Sequence, residues 1–370
     1  MESSITKTKT IYLLFFLLLS GTFRETFNKL LQNEKSMGYP FSQHSQLIAL
    51  YIYLSKTFSL IISCIYKNKY KKLERPPGWY KILYLIFPCI FDTISMTLCN
   101  ISISFLNSSV YQMLSGVIII FTTLLSMTCL NKKYKNFHFL AIFLIIISLV
   151  IIGLNSLINK KGQNSNNILL GIFLAITGNF FLSCFSIGEE YALRKINGTY
   201  TNMEIVGYEG LFCVIIYSVI LFFSCKIKCD NFKPILRDSL CVYDGKEYRF
   251  ENLYIALLQM KKNYKLILFS IVYMISSNLF SYYGTTVTKY MKASIKSITN
   301  TLRTIFIWII FMWVPFIPKN LKENLYVLQL VGFIILIVGC FIYYEIISIK
   351  SCDYKDKENS LNDEKIVEIN

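Results

Sequence analysis

The chain has 370 residues, of which 54% are hydrophobic and only 16% are charged, and its mean hydropathy is +0.48. This composition is typical of an integral membrane protein and excludes an ordinary soluble domain. The formal net charge is +16, but the basic residues lie mostly between the apolar runs. The charge therefore indicates membrane orientation, and we expect no nucleic-acid partner.

The residue types that most metal and catalytic sites need are scarce. There are only two histidines, His44 and His138, and none of the eleven cysteines forms a Cys-x-x-Cys pair. The sequence therefore predicts no metal site and no cofactor.

Ten apolar runs predict an all-α polytopic membrane protein. Each run is about 20 residues long, the length that a helix needs to cross a hydrocarbon core of about 30 Å. The predicted spans are 11–31, 46–66, 81–103, 109–130, 137–157, 168–191, 203–225, 265–287, 293–314 and 325–347. Lys7 and Lys9 resemble the start of a signal peptide, but no small-residue cleavage site follows. We therefore expect the first run to be retained as a helix.

Loop charge predicts that both termini are cytoplasmic. With the N-terminus inside, the short inner loops carry fourteen Lys and Arg residues and the short outer loops carry six. Cytoplasmic loops are the ones enriched in basic residues. Residues 1–10 are then a cytoplasmic N-terminus, and the polar segment 348–370 is a disordered cytoplasmic tail.

The long connection 226–264 lies on the outer or lumenal side in this orientation. Cys229 and Cys241 within it are expected either to form a disulfide in an oxidising lumen or to be two reduced thiols. The stretch 251–262 predicts a short helix at the membrane interface.

The ten spans divide into two groups of five, 11–157 and 168–347, on either side of a polar break. An odd number of spans in each half gives the halves opposite orientations, so we expect two inverted five-helix repeats. A faint internal similarity supports the division: Asn107-Ser-Ser-Val110 opens the fourth span, and Lys292-Ala-Ser-Ile295 opens the ninth.

The ninth span begins with a basic, polar helix face. Its residues follow helical spacing: Lys292, Lys296, Thr299, Asn300 and Arg303. An arginine at bilayer depth costs about 2.5–3.5 kcal/mol on insertion scales, so Arg303 should face protein or water. We interpret this face, with Lys289 before it, as a candidate substrate site. Alternatively, the lysines anchor a cytoplasmic helix end and Arg303 pairs with an internal acid.

Further ionisable and polar groups lie at depth in other spans: Lys56, Asp92, Glu209, Asn100 and Gln112. Unpaired charges in a membrane are expensive, so Asp92 or Glu209 could pair with Arg303 or Lys56. Intramembrane acids usually face a cavity, and we expect Asp92 and Glu209 to orient polar groups of a solute or to exchange protons.

Short motifs, in order along about 330 residues, resemble the drug/metabolite transporter superfamily, and most of all the F-type branch of solute carrier family 35. They are Asp92-Thr93, Ser109-Val-Tyr-Gln-Met-Leu114, Ile118-Ile-Ile-Phe-Thr122, Glu189-Glu190, Glu209-Gly-Leu-Phe212, Val287-Thr-Lys289 and Leu302-Arg-Thr-Ile-Phe-Ile-Trp308. The long 226–264 connection gives a weaker likeness to the chloroquine-resistance-transporter branch.

The resemblance implies ten helices in two inverted repeats with alternating access around a central cavity. It places Lys289 and Arg303 near an anionic group of the substrate. Two departures change the charge of the cavity: Lys56 stands where related F-type proteins tend to carry an acid, and Ser115 stands where a basic residue is usual. The identity of the substrate therefore does not transfer.

We expect a secondary transporter of a small polar organic solute, working as an exchanger or as a proton-coupled carrier. The basic residues Lys289 and Arg303 favour an anionic solute. We expect it in an internal membrane of vacuolar, lysosomal or Golgi type, and in the lipid bilayer as a monomer or a homodimer. The alternatives are a membrane-embedded acyl- or glycosyltransferase and a non-transporting receptor or scaffold. An enzyme is disfavoured because two isolated histidines with no nearby acid motif do not make a catalytic cluster.

Overall fold

The computed structural model describes residues 7–69, 79–103, 105–106, 110–111, 114–132, 134–158, 165–196, 200–230, 237, 240–243, 247–291, 293–313 and 327–343. The predicted polar tail 348–370 and the predicted site residue Gln112 lie outside these ranges.

The first half of the chain forms five helices. They are α1 (Lys7–Asn33), α2 (Ser45–Lys69), α3 (Ile86–Ile103), α4 (Val117–Leu130) and α5 (Asn136–Ile158). A two-residue hairpin, β1 (Lys35–Ser36) with β2 (Tyr39–Pro40), connects α1 to α2. Its turn residues Met37 and Gly38 both have positive φ, 57° and 86°. This pair of left-handed conformations matches the twist of a two-residue hairpin turn.

The second half forms five long helices and one short one. They are α6 (Ser165–Ile196), α7 (Asn202–Lys226), the short α8 (Leu253–Lys262), α9 (Tyr264–Tyr290), α10 (Ala293–Trp313) and α11 (Val327–Tyr343). A second hairpin, β3 (Val242–Tyr243) with β4 (Tyr248–Arg249), precedes α8.

Side-chain caps fix where three of these helices begin. Thr201 and Glu204 form a reciprocal capping box at the start of α7. Asn252 accepts hydrogen bonds from the first backbone N–H groups of α8, and Asn263 does the same for α9. Each cap satisfies donors that have no partner within the helix. The chain therefore turns sharply between α8 and α9 at a single residue.

Every one of the ten predicted spans contains an α-helix within the described residues. In two of them the α-helix does not run unbroken from the predicted start. The third span opens with a 3₁₀ segment, Trp79–Leu85, because Pro88 has no N–H to continue an α-helix into the preceding turn. In the fourth, Val110, Tyr111 and Leu114 are helical, Ser115 and Gly116 form a turn, and α4 begins at Val117. The predicted interfacial helix is present as α8.

Six of the helices in the described part of the chain are long and apolar enough to cross a membrane by length and composition. They are α1, α2, α3 with its 3₁₀ extension, α6, α7 and α9. Helix α4 and the described stretches Asn136–Ile152 and Leu330–Tyr343 are shorter apolar helices. Large apolar side chains are exposed along these helices, including Phe87, Phe143, Phe173, Phe222 and Ile275. The chain is an integral, multi-pass membrane protein.

The most extensive helix pairings join one half of the chain to the other. The fifth helices of the two halves, α5 and α11, pack together, as do the second helices, α2 and α7. Helix α3 packs on α6 and α1 packs on α9. Helix α6 also contacts α4, and α1 also contacts α10. If α1 to α5 are matched in order with α6, α7, α9, α10 and α11, leaving out the short α8, the same set of pairings results when the two halves are exchanged.

Glycines allow the closest of these approaches. A Cβ on Gly210 would lie 2.6 Å from Cβ of Lys56 and 2.6 Å from the Thr57 nitrogen, and one on Gly207 would lie 2.5 Å from the Leu60 nitrogen. Because the obstruction is backbone, it cannot rotate away. Small residues in this role are characteristic of membrane helix interfaces. They bring the backbone of α7 directly against that of α2 at Lys56.

Candidate functional site

A cavity of about 140 Å³ lies between the two halves. Its walls come from α1, α2, α3 and the start of α4 on one side, and from α6, α7, α9 and α10 on the other. Among the described residues, its charged lining consists of Arg24, Glu25, Lys56, Asp92, Glu189, Glu209, Lys296 and Arg303. Since such groups are costly in a membrane, their convergence on one space marks a candidate functional site.

Lys56, Asp92 and Glu209 form a buried group that we call the lysine triad. The Lys56 Nζ donates to Glu209 Oε1 at 2.7 Å and to Asp92 Oδ2 at 3.2 Å. Each of the three residues is less than a tenth exposed. The Lys56 Nζ also lies 5.5 Å from the ring centre of Phe185. One ammonium thus serves two carboxyl groups, and with all three groups ionised the triad has one negative charge in excess.

Arg24, Glu25 and Arg303 form a second group, which we call the arginine cluster. The Glu25 Oε1 lies 3.1 Å from an Arg24 nitrogen and 3.5 Å from Arg303 Nη2. Both guanidinium groups lie over the ring of Phe280, at 4.8 and 5.0 Å from its centre. One carboxylate serves two guanidinium groups, so this cluster carries one positive charge in excess.

The arginine cluster also contains buried donors that have no hydrogen-bond partner among the described residues. They are Nε of Arg24 and both Nε and Nη1 of Arg303. Leaving a buried polar group unpaired costs about 1–3 kcal/mol, and more when it is charged. A bound group that accepts these hydrogen bonds would relieve that cost.

A third set of polar contacts joins the helix ends beside the cavity. Glu189 accepts hydrogen bonds from Lys296 at 2.5 Å, from Thr285 at 2.8 Å and from Thr288 at 3.4 Å. The neighbouring Glu190 binds Lys132, Arg194 and the backbone N–H of Ala293. These adjacent carboxylates of α6 therefore hold α9, α10 and the α4–α5 connection together.

The structure brings most of the site residues proposed from the sequence into one cavity: Lys56, Asp92, Asn100, Glu209, Asn300 and Arg303. Asn100 donates to the backbone oxygen of Ser45. The Oδ1 atom of Asn300 is buried and has no hydrogen-bond partner among the described residues. Of the pairings considered from the sequence, Lys56 takes both Asp92 and Glu209, and Arg303 pairs with Glu25 instead.

Lys289 is placed differently from the prediction. It does not line the cavity; it lies in the last turn of α9 and donates to Asn202 Oδ1 at 3.0 Å. The helix has run past the cavity at this point. Lys296, seven residues later and one turn into α10, is the lysine of this stretch that lines the cavity.

Three lining charges were absent from the predicted site: Arg24, Glu25 and Glu189. Lys296 was part of it through the polar face of the ninth span. A signal for the first two was present, because an Arg-Glu pair inside an apolar run is subject to the same cost that pointed to Asp92. Glu189 ends a span, where a charge can be ascribed to the interface. The sequence alone does not show that this helix end borders the cavity.

The 226–264 segment is tied down beside the first half of the chain. The structure joins Cys229 to Cys241 by a disulfide. Glu251 is fully buried and binds His44 Nδ1 at 2.5 Å, and Ser36 donates to the backbone oxygen of Gln259 at 3.0 Å. Within the described residues, no group of three or more His, Cys, Asp or Glu side chains is arranged to hold a metal ion.

Comparison with known proteins identifies the kind of site. Residues 40–154 match the model of the EamA-like transporter family. The chain is 26% identical over 308 residues to human solute carrier family 35 member F6, covering 81% of this chain and 78% of that one. Together these matches support the drug/metabolite transporter superfamily for this chain.

Other matches extend over most of the chain. An uncharacterised protein of Schizosaccharomyces pombe is 26% identical over 339 residues, covering 90% of this chain and 96% of its own. The mouse solute carrier family 35 member F6 is also 26% identical, over 321 residues. A solved crystal structure matches with a TM-score of 0.53 at 8% identity, covers 95% of this chain and shows a shared fold.

These matches confirm the resemblance to the F-type branch of solute carrier family 35 that the motifs indicated. Members of this superfamily are membrane transporters rather than enzymes, so the transferase alternative is not supported. A membrane transporter family implies a small-molecule solute and a lipid bilayer as partners.

Proposed function

We propose that this drug/metabolite transporter is a secondary carrier that moves a small polar organic solute by alternating access. The observation that carries the proposal is the cavity between the halves, with charged side chains from α1, α2, α3, α6, α7 and α10 converging on it. Charges placed so deeply in a membrane protein are characteristic of substrate and ion pathways. Energy would come from a solute or proton gradient, as exchange or proton coupling.

We further propose that the chain contains two inverted five-helix repeats, 11–157 and 168–347. The helix pairings support this, because they keep the same pattern when the halves are exchanged. If every long helix crosses the membrane, an odd number per half gives the halves opposite orientations. One half could then rock against the other and expose the cavity alternately to each side.

In this proposal the arginine cluster binds the acidic group of the solute. Arg303 is its principal residue, because two of its N–H groups are buried without a partner and it belongs to the second half while Glu25 belongs to the first. The lysine triad orients polar groups of the solute or exchanges protons. Asn300 lines the same cavity and offers an oxygen that has no partner among the described residues.

We place both termini in the cytoplasm and the 226–264 segment in the lumen of a vacuolar, lysosomal or Golgi-type compartment. The excess of basic residues in the inner loops supports the orientation. The Cys229–Cys241 disulfide supports an oxidising environment for that segment. We also propose that the protein can form a homodimer, which neither the loop charges nor the disulfide addresses. The molecular mass of the native protein in detergent, with the detergent subtracted, distinguishes a monomer from a dimer.

Counterflow in proteoliposomes tests the proposed function. Vesicles with the purified chain are loaded with a water-soluble metabolite extract, and entry of labelled extract components is compared with entry into empty vesicles. We expect faster entry into loaded vesicles, which a receptor or scaffold does not give. Arg303→Ala should abolish it, whereas the matched variant Arg249→Ala, at a half-exposed arginine that does not line the cavity, should retain it. Wild-type exchange by Arg303→Ala would remove Arg303 from the site.

A further inference from the structure

The short helix α8 has one apolar face that nothing in the described chain covers. Leu253, Tyr254 and Leu257 lie on this face at helical spacing, and Tyr254 and Leu257 keep 71% and 64% of their surface exposed. The opposite face is packed, since Ala256 and Gln259 are at most 1% exposed. A surface helix with large apolar side chains on its outer face is characteristic of a contact with a membrane or with another protein.

The packed face of α8 places the helix at the level where the membrane-spanning helices end. Ala256 belongs to one apolar cluster with Leu31 near the end of α1, Leu47 near the start of α2 and Leu266 near the start of α9. All three of these helices are long and apolar enough to cross a membrane. Asn263 is the only residue between α8 and α9, so α8 cannot lie far from that end. The apolar face therefore lies at the membrane surface.

Four exposed lysines lie around the end of α8, and we call them the basic rim: Lys35, Lys261, Lys262 and Lys265. Two of them belong to the last turn of α8, one to the first turn of α9 and one to strand β1. The Asn263 side chain joins these elements, because it donates to the backbone oxygen of Lys35 at 3.3 Å and to Glu34 at 2.9 Å. Within the described residues none of the four lysines forms an ion pair. The rim is therefore an excess of positive charge that the protein does not balance.

An apolar face beside unbalanced cations fits one partner best. An anionic phospholipid supplies, in one molecule, acyl chains for the apolar face and a phosphate for the lysines. Tyr254 and Tyr264, the latter 73% exposed, are of the residue type that is enriched at membrane–water interfaces. Lipid is already present at this level of the protein, whereas a soluble partner would first have to displace it.

We infer that α8 and the basic rim form a binding site for an anionic phospholipid of the adjacent leaflet. The acyl chains lie on the apolar face of α8, and the phosphate binds the basic rim. No residue of this face or of the rim lines the central cavity, so the site is separate from it. The inference goes beyond the proposed carrier function and does not depend on it.

Native mass spectrometry of the purified full chain tests the charge preference. The protein in detergent is titrated with phosphatidylglycerol or with phosphatidylcholine that has the same acyl chains, so the two lipids differ in the net charge of the headgroup. We expect phosphatidylglycerol to bind roughly tenfold more tightly or better, since each lysine near a phosphate adds to the attraction. Equal affinities for the two lipids would overturn the inference.

Two triple variants locate the preference. The rim variant is Lys261→Gln/Lys262→Gln/Lys265→Gln, and the matched control is Lys9→Gln/Lys195→Gln/Lys226→Gln, which removes three exposed lysines at ends of α1, α6 and α7. The ratio of the two lipid affinities should fall roughly tenfold in the rim variant and stay unchanged in the control. The ratio is taken within one preparation and does not depend on the amount of folded protein. A rim variant that keeps the wild-type ratio would place the anionic lipid elsewhere and refute the proposed site.

A tryptophan on the apolar face shows whether lipid chains reach it. Leu257→Trp is made in a background in which the three native tryptophans are replaced by phenylalanine, and the protein is placed in nanodiscs of phosphatidylglycerol. Bromine on the acyl chains should quench roughly half of the fluorescence or more, because this face lies at the boundary of headgroups and chains. Iodide in the water should quench little. Quenching by iodide alone would show that α8 faces water, which refutes the lipid site and leaves the face to a soluble partner.

Discussion

The Lys56 ammonium lies 2.7 Å from the Glu209 carboxylate, and this contact joins the second helix of one half of the chain to the second helix of the other. Both side chains are almost fully buried. The two helices are held at this point by close backbone packing as well as by charge. The lysine triad is therefore part of the framework that holds the halves together as well as part of the site.

Lys56→Met should destabilise the protein strongly. It leaves two buried carboxylates without their cation, and removing one partner from a buried ionic group costs about 3–5 kcal/mol. The free energy of unfolding can be measured by SDS titration of the purified protein in detergent. The double variant Lys56→Met/Glu209→Gln should recover part of the loss. Lys262→Met, on the exposed side of α8, serves as the control, and an equal stability of Lys56→Met and this control would contradict the prediction.

Gly210→Ala should separate α7 from α2. The added Cβ meets backbone atoms of α2 at 2.6–2.8 Å, so the helices must move apart, at a cost of about 1–3 kcal/mol or more. Gly284→Ala is a matched comparison, because the nearest atom there is Cε of the flexible Lys296 side chain at 3.2 Å. Thermal unfolding in detergent should show a clear loss for the first variant and little change for the second. A similar unfolding temperature for both variants would show that α7 and α2 have room for a methyl group at Gly210.

Cys229→Ser should loosen the segment between α7 and α8. The disulfide closes a short loop, with a sequence separation of 12, and loops of this size contribute about 3 kcal/mol in the chain-entropy account. We expect faster proteolysis between residues 229 and 241, followed by mass spectrometry, while the helices stay intact. Cys64→Ser removes an exposed free thiol and should not change the cleavage rate. Unchanged cleavage in Cys229→Ser would mean that Glu251 and its partners alone order the segment.

Glu189→Gln should open the end of the cavity at which α6 terminates. The carboxylate holds two threonines of α9 and a lysine of α10, and an amide replaces only part of these contacts. Cys99 lines the cavity and can report the change in a background where it is the only free cysteine. Labelling by a membrane-impermeant methanethiosulfonate from that side should become several-fold faster. In the control variant Glu247→Gln, Cys99 should be labelled at the original rate. The same labelling rate in both variants would show that the contacts of Glu189 do not close this end of the cavity.

The sequence predicted the helices well and the pairings poorly, for a physical reason. Apolar runs report how deep a residue lies, so the spans that hold Asp92, Glu209 and Arg303 could be found. Which partner each charge takes depends on the rotation of each helix and on contacts between distant parts of the chain. Lys56 therefore took both acids and Arg303 took Glu25, a combination that the span positions did not determine.

Lys289 and Arg24 show what the positions of the spans do not determine. Lys289 shares a polar stretch with Lys296 and Arg303, but it lies in the last turn of α9 and does not line the cavity. Arg24 lies in the first apolar run and lines the cavity, although it was not among the site residues predicted from the sequence. A uniform rule, that every ionisable residue inside a span needs a named partner, would have included Arg24 and Glu25.

The contacts of α1 have a consequence for biogenesis. This helix leaves the ribosome well before its main partners α9 and α10. Until Arg303 arrives, Glu25 has its own neighbour Arg24 as a counter-ion at 3.1 Å, so the nascent helix can enter the bilayer with its charges already matched. The wall of the cavity is then completed only when the last third of the polypeptide has been inserted. A nascent chain of which only the first half has been synthesised should therefore have an incomplete site. We expect such intermediates to depend on membrane chaperones to reach the native fold.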